Sequence, residues 1–132
     1  MDQECFEPGI SYTKAELRSF IDRAGAFTLV ATDGDVIQGF IVVQGGKLGH
    51  VITIDVGSRA RRVGIGSLLL GAAEQRLGTT GSRAVRLETA VDNLSALAFY
   101  KQHGYSVVRT WPRYYSNGVD ALVLNKALNG SF

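Results

Sequence analysis

The segment from Val51 to Gly78 constrains the fold most, because it joins a strand pattern to a helical pattern through a linker rich in arginine and glycine. The stretch "VITIDV" is apolar and β-branched, as expected of a strand. After the linker, apolar residues recur at the spacing of a buried helical stripe, namely at Ile65, Leu68, Leu69 and Ala72. Gly78 is predicted to end this helix.

The linker "SRARRVGIGS" is typical of an anion-binding site at a helix start. Gly64 and Gly66 allow close approach of a ligand to the backbone, and the N–H groups of the first helical turn can converge on a phosphate. Arg61 and Arg62 add positive charge at this point. The alternative is that the glycines only permit tight packing while the arginines are solvated, and the linker by itself leaves both open.

Two nucleotide-binding motifs do not fit this linker. A dinucleotide-binding fingerprint requires a third glycine where Leu69 stands, and its glycines follow their strand almost directly. The acidic residue expected about 20 residues further on would be Glu88. A Walker A loop requires Gly-Lys-Ser/Thr, which does not follow Gly64 or Gly66.

The residues before the linker predict a short helix and three strands. "TKAELRSFIDRAG", residues 13–25, has Thr13 as an N-cap with Glu16 three residues later, and ends at Gly25. Residues 26–44 are two apolar runs around Asp33-Gly34, which indicates a hairpin. Residues 45–56 add a turn and a third strand.

The residues after the helix predict a strand, a second helix and a closing pair of strands. The strand is "RAVRLETAV", and the helix "DNLSALAFYKQHG" is capped by Asp92 or Asn93 and ends at Gly104. The closing strands, residues 105–128, turn near Asn117-Gly118. This order predicts an α/β (α+β) domain with a mixed, mostly antiparallel central sheet flanked by helices.

Length and composition point to one cytoplasmic globular domain over residues 1–132. The net charge of +2 lacks the basic excess of a nucleic-acid-binding protein. Cys5 is the sole cysteine, which excludes an intrachain disulfide and a zinc site built on paired cysteines. No apolar run is long enough for a membrane helix. Taken together, these three observations predict a protein that binds no metal, no nucleic acid and no membrane.

Three motifs in order resemble the GNAT superfamily of acetyl-CoA-dependent N-acetyltransferases. They are "IDVGSRARRVGIGSLL", "LETAVDNLSALAFYKQHGY" and "RYYSNGVDALVL", and the resemblance covers roughly residues 4–128. It is strongest to the N-terminal acetyltransferases of the ribosomal-protein-alanine type and their archaeal relatives. It departs in two places: Val119 replaces a usual acidic residue, and too few residues precede Thr13 for the opening strand that family members usually have. The GNAT fold is therefore expected here without that first strand.

The resemblance implies acetyl-CoA as the cosubstrate. It also implies cofactor contacts along three segments, made by Ile54, Asp55, Val56, Arg61, Arg62, Val63, Gly64, Ile65, Gly66, Ser67 and Asn93. The backbone of residues 54–56 would hold the pantetheine arm and polarise the thioester carbonyl. The tyrosines of the last motif, Tyr114 and Tyr115, would contact the acceptor substrate.

The resemblance assigns the chemistry to Glu88 and Tyr100. Glu88 would be the general base, acting through water, because an α-amino group with a pKa near 7.7–8.0 needs little help to become neutral. Tyr100 would protonate the leaving thiolate. His50 and His103 are interpreted as surface or turn residues. We therefore expect an enzyme that acetylates a protein or peptide N-terminus. The alternatives are an acetyltransferase for a small amine or a lysine side chain, and a noncatalytic acyl-CoA-binding module. The oligomeric state stays open.

Overall fold

The computed structural model describes residues 16–23, 25–57 and 64–128. Within these residues the chain forms seven strands and two helices, which are β1 (Glu16–Arg23), β2 (Ala26–Asp33), β3 (Val36–Gln44), β4 (Leu48–Val56), α1 (Ile65–Thr79), β5 (Ala84–Ala90), α2 (Leu94–Gln102), β6 (Ser106–Trp111) and β7 (Ala121–Ala127). The strands make one sheet in the order β1-β2-β3-β4-β5-β7-β6. Only the β4–β5 pairing among these is parallel, which confirms the predicted mixed, mostly antiparallel sheet.

The predicted helix over residues 13–25 is wrong, because residues 16–23 form the edge strand β1. Leu17 and Ile21 satisfy both a helical and a strand spacing, so the local pattern does not decide between them. Leu17 pairs with Ala31 and Ile21 with Phe27 on β2. Strand pairing therefore decided this segment. The residues before Thr13, where the opening strand of the family was expected to be missing, lie outside the described residues.

The hairpin and the meander are as predicted. β2 and β3 pair antiparallel around Gly34, whose φ of 61° lies in the left-handed region that favours glycine. β4 then pairs antiparallel with β3.

Helix α1 packs on one face of the sheet and supplies much of the core. Its most buried residues are Ile65, Leu69, Leu70, Ala73 and Leu77, while Leu68 and Ala72 of the predicted stripe are only partly buried. A Cβ on Gly49 of β4 would lie 2.8 Å from a methyl carbon of Leu77, so helix and strand are in close contact. The helix passes Gly78 and ends at Thr79, with the positive φ at Gly81 instead.

The second half of the sheet also follows the predicted order. β5 alternates, with Val85 and Leu87 in the core and Arg86 and Glu88 on the opposite face. β5 pairs with β7, and β6 lies outside β7 as an edge strand. Asn117-Gly118 lies in the β6–β7 connection, where the Gly118 N–H donates to the Tyr115 carbonyl at 2.9 Å.

Candidate active site

A divergence between two parallel strands opens the candidate site. β4 and β5 pair only from Leu48–Ala84 to His50–Arg86, although β4 continues to Val56 and β5 to Ala90. Against β3, Val51 and Thr53 face consecutive partners, so Ile52 is an extra residue in β4. Such a β-bulge bends its strand and increases the local twist. It lies where the two strands part.

A cleft of about 740 Å³ lies at this divergence, between the end of β4, the first turn of α1 and helix α2. It is lined by Ile54, Val56, Gly64, Gly66, Ser67, Asn93, Ser95, Ala96, Phe99, Tyr100, Gln102 and His103. Seven of the residues predicted from the sequence are therefore brought together here. They are Ile54, Val56, Gly64, Gly66, Ser67, Asn93 and Tyr100.

The two glycines shape the wall of the cleft at the start of α1. Gly64 is the N-cap of the helix and has φ 83° and ψ 19°, a left-handed conformation that is costly for residues with a Cβ. Gly66 has ordinary helical geometry, but a Cβ there would lie 3.3 Å from Cζ of Phe99 and 3.7 Å from Cγ2 of Val56. The absence of side chains at both positions keeps backbone N–H groups accessible, as anion binding at a helix start requires.

Asn93 caps the helix on the other side of the cleft. Its side-chain oxygen accepts a hydrogen bond from the Ala96 N–H at 3.2 Å, which confirms one of the two predicted caps of α2. At the far end of α2, His103 lies in the cleft rather than at a free surface. Its Nε2 is 2.9 Å from Oγ of Ser67, and its Nδ1 is 2.8 Å from the Phe99 carbonyl oxygen.

Five residues that were predicted to contact the cofactor are not among the described residues that line the cleft. Arg61, Arg62 and Val63 lie outside the described residues. Asp55 is exposed and pairs with Phe40, while Ile65 is 1% exposed within the core cluster. Strand alternation directs the Asp55 side chain away from Ile54 and Val56. A cofactor contact of Asp55 or Ile65 would come from the backbone.

Tyr100 is held in the core side of the cleft by aromatic contacts. Its ring makes edge-on contacts with Phe99 at 5.4 Å and with Tyr105 at 6.0 Å, and only 8% of the residue is exposed. Burial, and secondly the nearby Tyr115, raise the pKa of Tyr100. The phenol therefore keeps its proton through the neutral range, as a proton donor must.

Glu88 does not line the cleft but lies on the opposite face of β5, between two basic side chains. Its Oε1 is 2.8 Å from Nε2 of His50 and its Oε2 is 3.0 Å from Nε of Arg86. The side chain is 10% exposed. A carboxylate only accepts hydrogen bonds, so Nε2 of His50 carries a proton here, and in the neutral ring the lone pair is on Nδ1.

His50 is a candidate functional residue that the sequence analysis missed. It was interpreted as a surface or turn residue, yet it belongs to β4 immediately before the strands part. The parallel pairing of β4 with β5 places His50 opposite Arg86, two residues before Glu88. The only signal in the sequence was the position of His50 within a strand that leads to the glycine linker.

The predicted acceptor residues link the two halves of the site. Burial raises the pKa of Tyr115, with further contributions from Tyr114 and Glu88. Because Tyr115 also raises the pKa of Tyr100, its phenol lies within electrostatic reach of both Glu88 and Tyr100. Tyr114, 51% exposed, packs against Trp111 at 5.2 Å and Tyr115 at 5.0 Å. Arg86 lies 5.9 Å from the Trp111 ring.

This arrangement combines a cleft at a glycine-flanked helix start, a buried phenol and a carboxylate–imidazole pair. No group of three or more His, Cys, Asp and Glu side chains in the described part of the chain could hold a metal ion. Neither α1 nor α2 combines the length and apolar character needed to span a bilayer. The expected cytoplasmic location, the single domain over residues 1–132 and the lack of a nucleic-acid partner stay predictions.

Comparison with known proteins agrees with these features. A sequence model described as the acetyltransferase (GNAT) family matches residues 1–105. The chain is 31% identical over 116 residues to N-alpha-acetyltransferase 30 of Schizosaccharomyces pombe, covering 83% of this chain and 77% of that relative. The crystal structure of Ard1 from Thermoplasma volcanium is similar at 30% identity, with a TM-score of 0.73, covering 76% of this chain and 69% of that one.

A further similar structure contains ligands. It is a chain of the NatC complex bound to Gag peptide and CoA, which is 27% identical to this chain with a TM-score of 0.71. The similarity covers 77% of this chain and 71% of that one.

Proposed function

The chain belongs to the GNAT acetyltransferase family and is an acyltransferase that uses acetyl-CoA, and on that premise we propose that it acetylates the α-amino group of a protein or peptide N-terminus. Transfer is direct, from cosubstrate to amine, with no covalent enzyme intermediate. The observation that carries the proposal is the cleft between the glycine-flanked start of α1 and helix α2, with the buried phenol of Tyr100 in its wall. One similar protein is named N-alpha-acetyltransferase 30, and one similar structure is a chain of the NatC complex bound to Gag peptide. Both support the choice of an N-terminal acceptor.

The cleft fits acetyl-CoA, which supplies the activated acetyl group as a thioester. The backbone N–H groups of the first turn of α1, next to Gly64 and Gly66, would hold the diphosphate, since a Cβ at Gly66 would narrow the cleft against Phe99 and Val56. Asn93 and Ser67 offer polar contacts from opposite sides of the cleft. The end of β4, where Ile54 and Val56 line the cleft, would hold the pantetheine arm through its backbone.

The acceptor amine is deprotonated by the Glu88–His50 pair. With Nε2 of His50 donating to Glu88, Nδ1 is the atom that accepts a proton, directly or through a water. Glu88 fixes this tautomer and stabilises the imidazolium that results, while Arg86 holds the other carboxylate oxygen. The base is thus a pair rather than the carboxylate alone.

Tyr100 completes the proton balance on the other side of the reacting carbon. The amine nitrogen bonds to the acetyl carbon as the carbon–sulfur bond breaks, and the phenol of Tyr100 gives its proton to the leaving thiolate. The nitrogen loses its second proton as the amide forms, and a proton returned through solvent restores the phenol. Its burial keeps water from competing for the thiolate. Tyr114 and Tyr115 contact the acceptor peptide between the two proton-transfer groups.

The test is a pH–rate series with Glu88→Gln on matched peptides, one with a free N-terminus and one with a blocked N-terminus and a lysine. The free N-terminal peptide should react about 10²–10⁴-fold more slowly near pH 7. The defect should shrink above about pH 8, where the α-amino group is neutral without help, whereas a lysine acceptor would keep the defect until about pH 10.

Glu74→Gln is the matched control, because Glu74 is also a shielded carboxylate paired with a cation, Lys126, but lies outside the site. It should change stability and leave the pH dependence of the rate unaltered. A constant ratio between Glu88→Gln and the parent across pH would refute the base assignment. Faster reaction of the lysine peptide would refute the N-terminal acceptor, and reaction of neither would favour a small amine or a noncatalytic module.

A further inference from the structure

The β6–β7 loop, residues 112–120, contains a strained backbone position directly before the two acceptor tyrosines. Arg113 has φ 49°, and among the described residues no other non-glycine residue has a positive φ. A side chain with a Cβ is disfavoured in this region, so the surrounding structure must hold Arg113 there. The reversal of the chain at Arg113 leads directly into Tyr114 and Tyr115.

Asp120, at the other end of the loop, is the group that holds Arg113. Its Oδ1 accepts a hydrogen bond from the Arg113 N–H at 2.9 Å. Its own backbone carbonyl accepts from the Val91 N–H at 3.0 Å, just beyond the end of β5. The carboxylate therefore ties the strained residue to the strand that carries Glu88.

The hydrogen bonds inside the loop do not replace this contact. The Tyr115 N–H donates to the Val119 carbonyl at 3.2 Å, and the Val119 N–H donates to Oδ1 of Asn117 at 3.1 Å. These bonds close the tip of the loop on itself. The Asp120 carboxylate joins the two ends of the loop, so it fixes the direction in which the tip points.

We propose that Asp120 is a positioning residue of the acceptor site: by holding Arg113 in its left-handed conformation, its carboxylate directs Tyr115 toward Glu88 and Tyr100 and keeps Tyr114 against Trp111. This inference rests on the proposed function, because it assumes that an acceptor peptide binds at these tyrosines. Asp120 contacts neither substrate. It acts through the backbone of Arg113.

Four variants test the proposal: Asp120→Ala, Asp120→Asn, Arg113→Gly and the double variant Arg113→Gly/Asp120→Ala. Asparagine keeps the accepting oxygen and loses only the charge. Glycine at position 113 adopts a positive φ without steric cost, so it removes the strain that Asp120 opposes. Thermal melting checks that each variant is folded.

The first readout is the fluorescence of Trp111, the single tryptophan of the chain, which packs against Tyr114 at 5.2 Å. Asp120→Ala should red-shift its emission and weaken energy transfer from the tyrosines, while Asp120→Asn should resemble the parent. The double variant should recover most of the parent spectrum. This readout needs no turnover.

The second readout is steady-state kinetics. Asp120→Ala should raise the KM for the acceptor peptide about tenfold, as expected for loss of one charge-assisted hydrogen bond, with the KM for acetyl-CoA unchanged. Asp120→Asn should stay within about twofold of the parent, and Arg113→Gly should partly restore Asp120→Ala.

Two results would overturn the proposal: a parent-like Trp111 spectrum in Asp120→Ala, or equal changes in the KM values of both substrates. If the parent acetylates no peptide, the proposed function fails, and the fluorescence series alone decides whether Asp120 holds the loop. The two failures are therefore distinguishable.

Discussion

Replacement of Gly66 by valine should abolish acetyl-CoA binding while the protein stays folded. A Cβ at position 66 would lie 3.3 Å from Cζ and 3.4 Å from Cε1 of Phe99, which is tight, and the two methyl groups of valine extend further into the cleft. The wall formed by the first turn of α1 would then be closed to a diphosphate. Gly71 on the same helix has nothing within 4 Å of such a Cβ, so Gly71→Val is a matched control.

The magnitudes separate the two effects. Both substitutions gain ~0.4 kcal/mol of helix propensity. At Gly66 the overpacking against Phe99 costs about 1–3 kcal/mol, which still leaves most of the 5–15 kcal/mol typical of a domain. Acetyl-CoA at about 100 times its dissociation constant stabilises the parent by about 2.7 kcal/mol, equivalent to about 10 °C in melting temperature.

The assay is thermal melting of the three proteins with and without acetyl-CoA. The parent and Gly71→Val should show the full ligand-induced shift, and Gly66→Val should show almost none. A parent-like shift in Gly66→Val would refute the assignment of this cleft to the cofactor. Loss of the shift in Gly71→Val as well would mean that any β-branched residue in α1 disrupts binding, and the steric argument would fail.

Three further predictions follow from individual contacts. Tyr100→Phe should lower turnover about 10²–10⁴-fold with unchanged acetyl-CoA affinity, and near-normal turnover would leave Tyr100 as a packing residue only. Asn93→Asp keeps the cap on the Ala96 N–H but adds a negative charge to the cleft, so melting should be unchanged while acetyl-CoA titration shows weaker binding; equal affinity would place the cofactor elsewhere. Burial, and secondly Glu74, raise the pKa of Tyr105 well above its usual value of about 10. The folded state thus keeps a proton that the unfolded state loses, so the free energy of unfolding should fall as pH rises above about 10, and urea unfolding should show a smaller fall for Tyr105→Phe.

The elements that sequence analysis predicted correctly are those with local signals. The hairpin between β2 and β3 needs a residue that adopts positive φ, and Gly34 does so, although the turn is Gly34-Asp35 and Asp33 still pairs with Val36. The Asn93 cap and the glycine-flanked start of α1 are likewise set by a few consecutive residues. Such signals act within one turn of chain, so at these positions the outcome does not depend on what packs against them.

The segment now seen as β1 shows where local signals fail. Its cap-like Thr13 and its apolar spacing favoured a helix, but pairing with β2 gives the backbone of residues 16–23 interstrand hydrogen bonds instead. The C-terminal end of α1 is a second case in which the local signal failed. Gly78 does not end the helix, and the chain turns at Gly81 instead. Helix propensity is a weak preference that tertiary pairing can override.

By itself the sequence determined the residue types of the site and the motifs that carry them: Gly64 and Gly66 at a helix start, and Glu88 and Tyr100 farther along the chain. Only the tertiary structure decided which of them meet. Alternation along β5 puts Glu88 on the face opposite the cleft, and the short β4–β5 pairing brings His50 to it across 38 positions of sequence. The strained turn at Arg113 and its contact with Asp120 are equally invisible in the sequence. Strand register and loop closure join residues that are distant along the chain, and no local pattern encodes those distances.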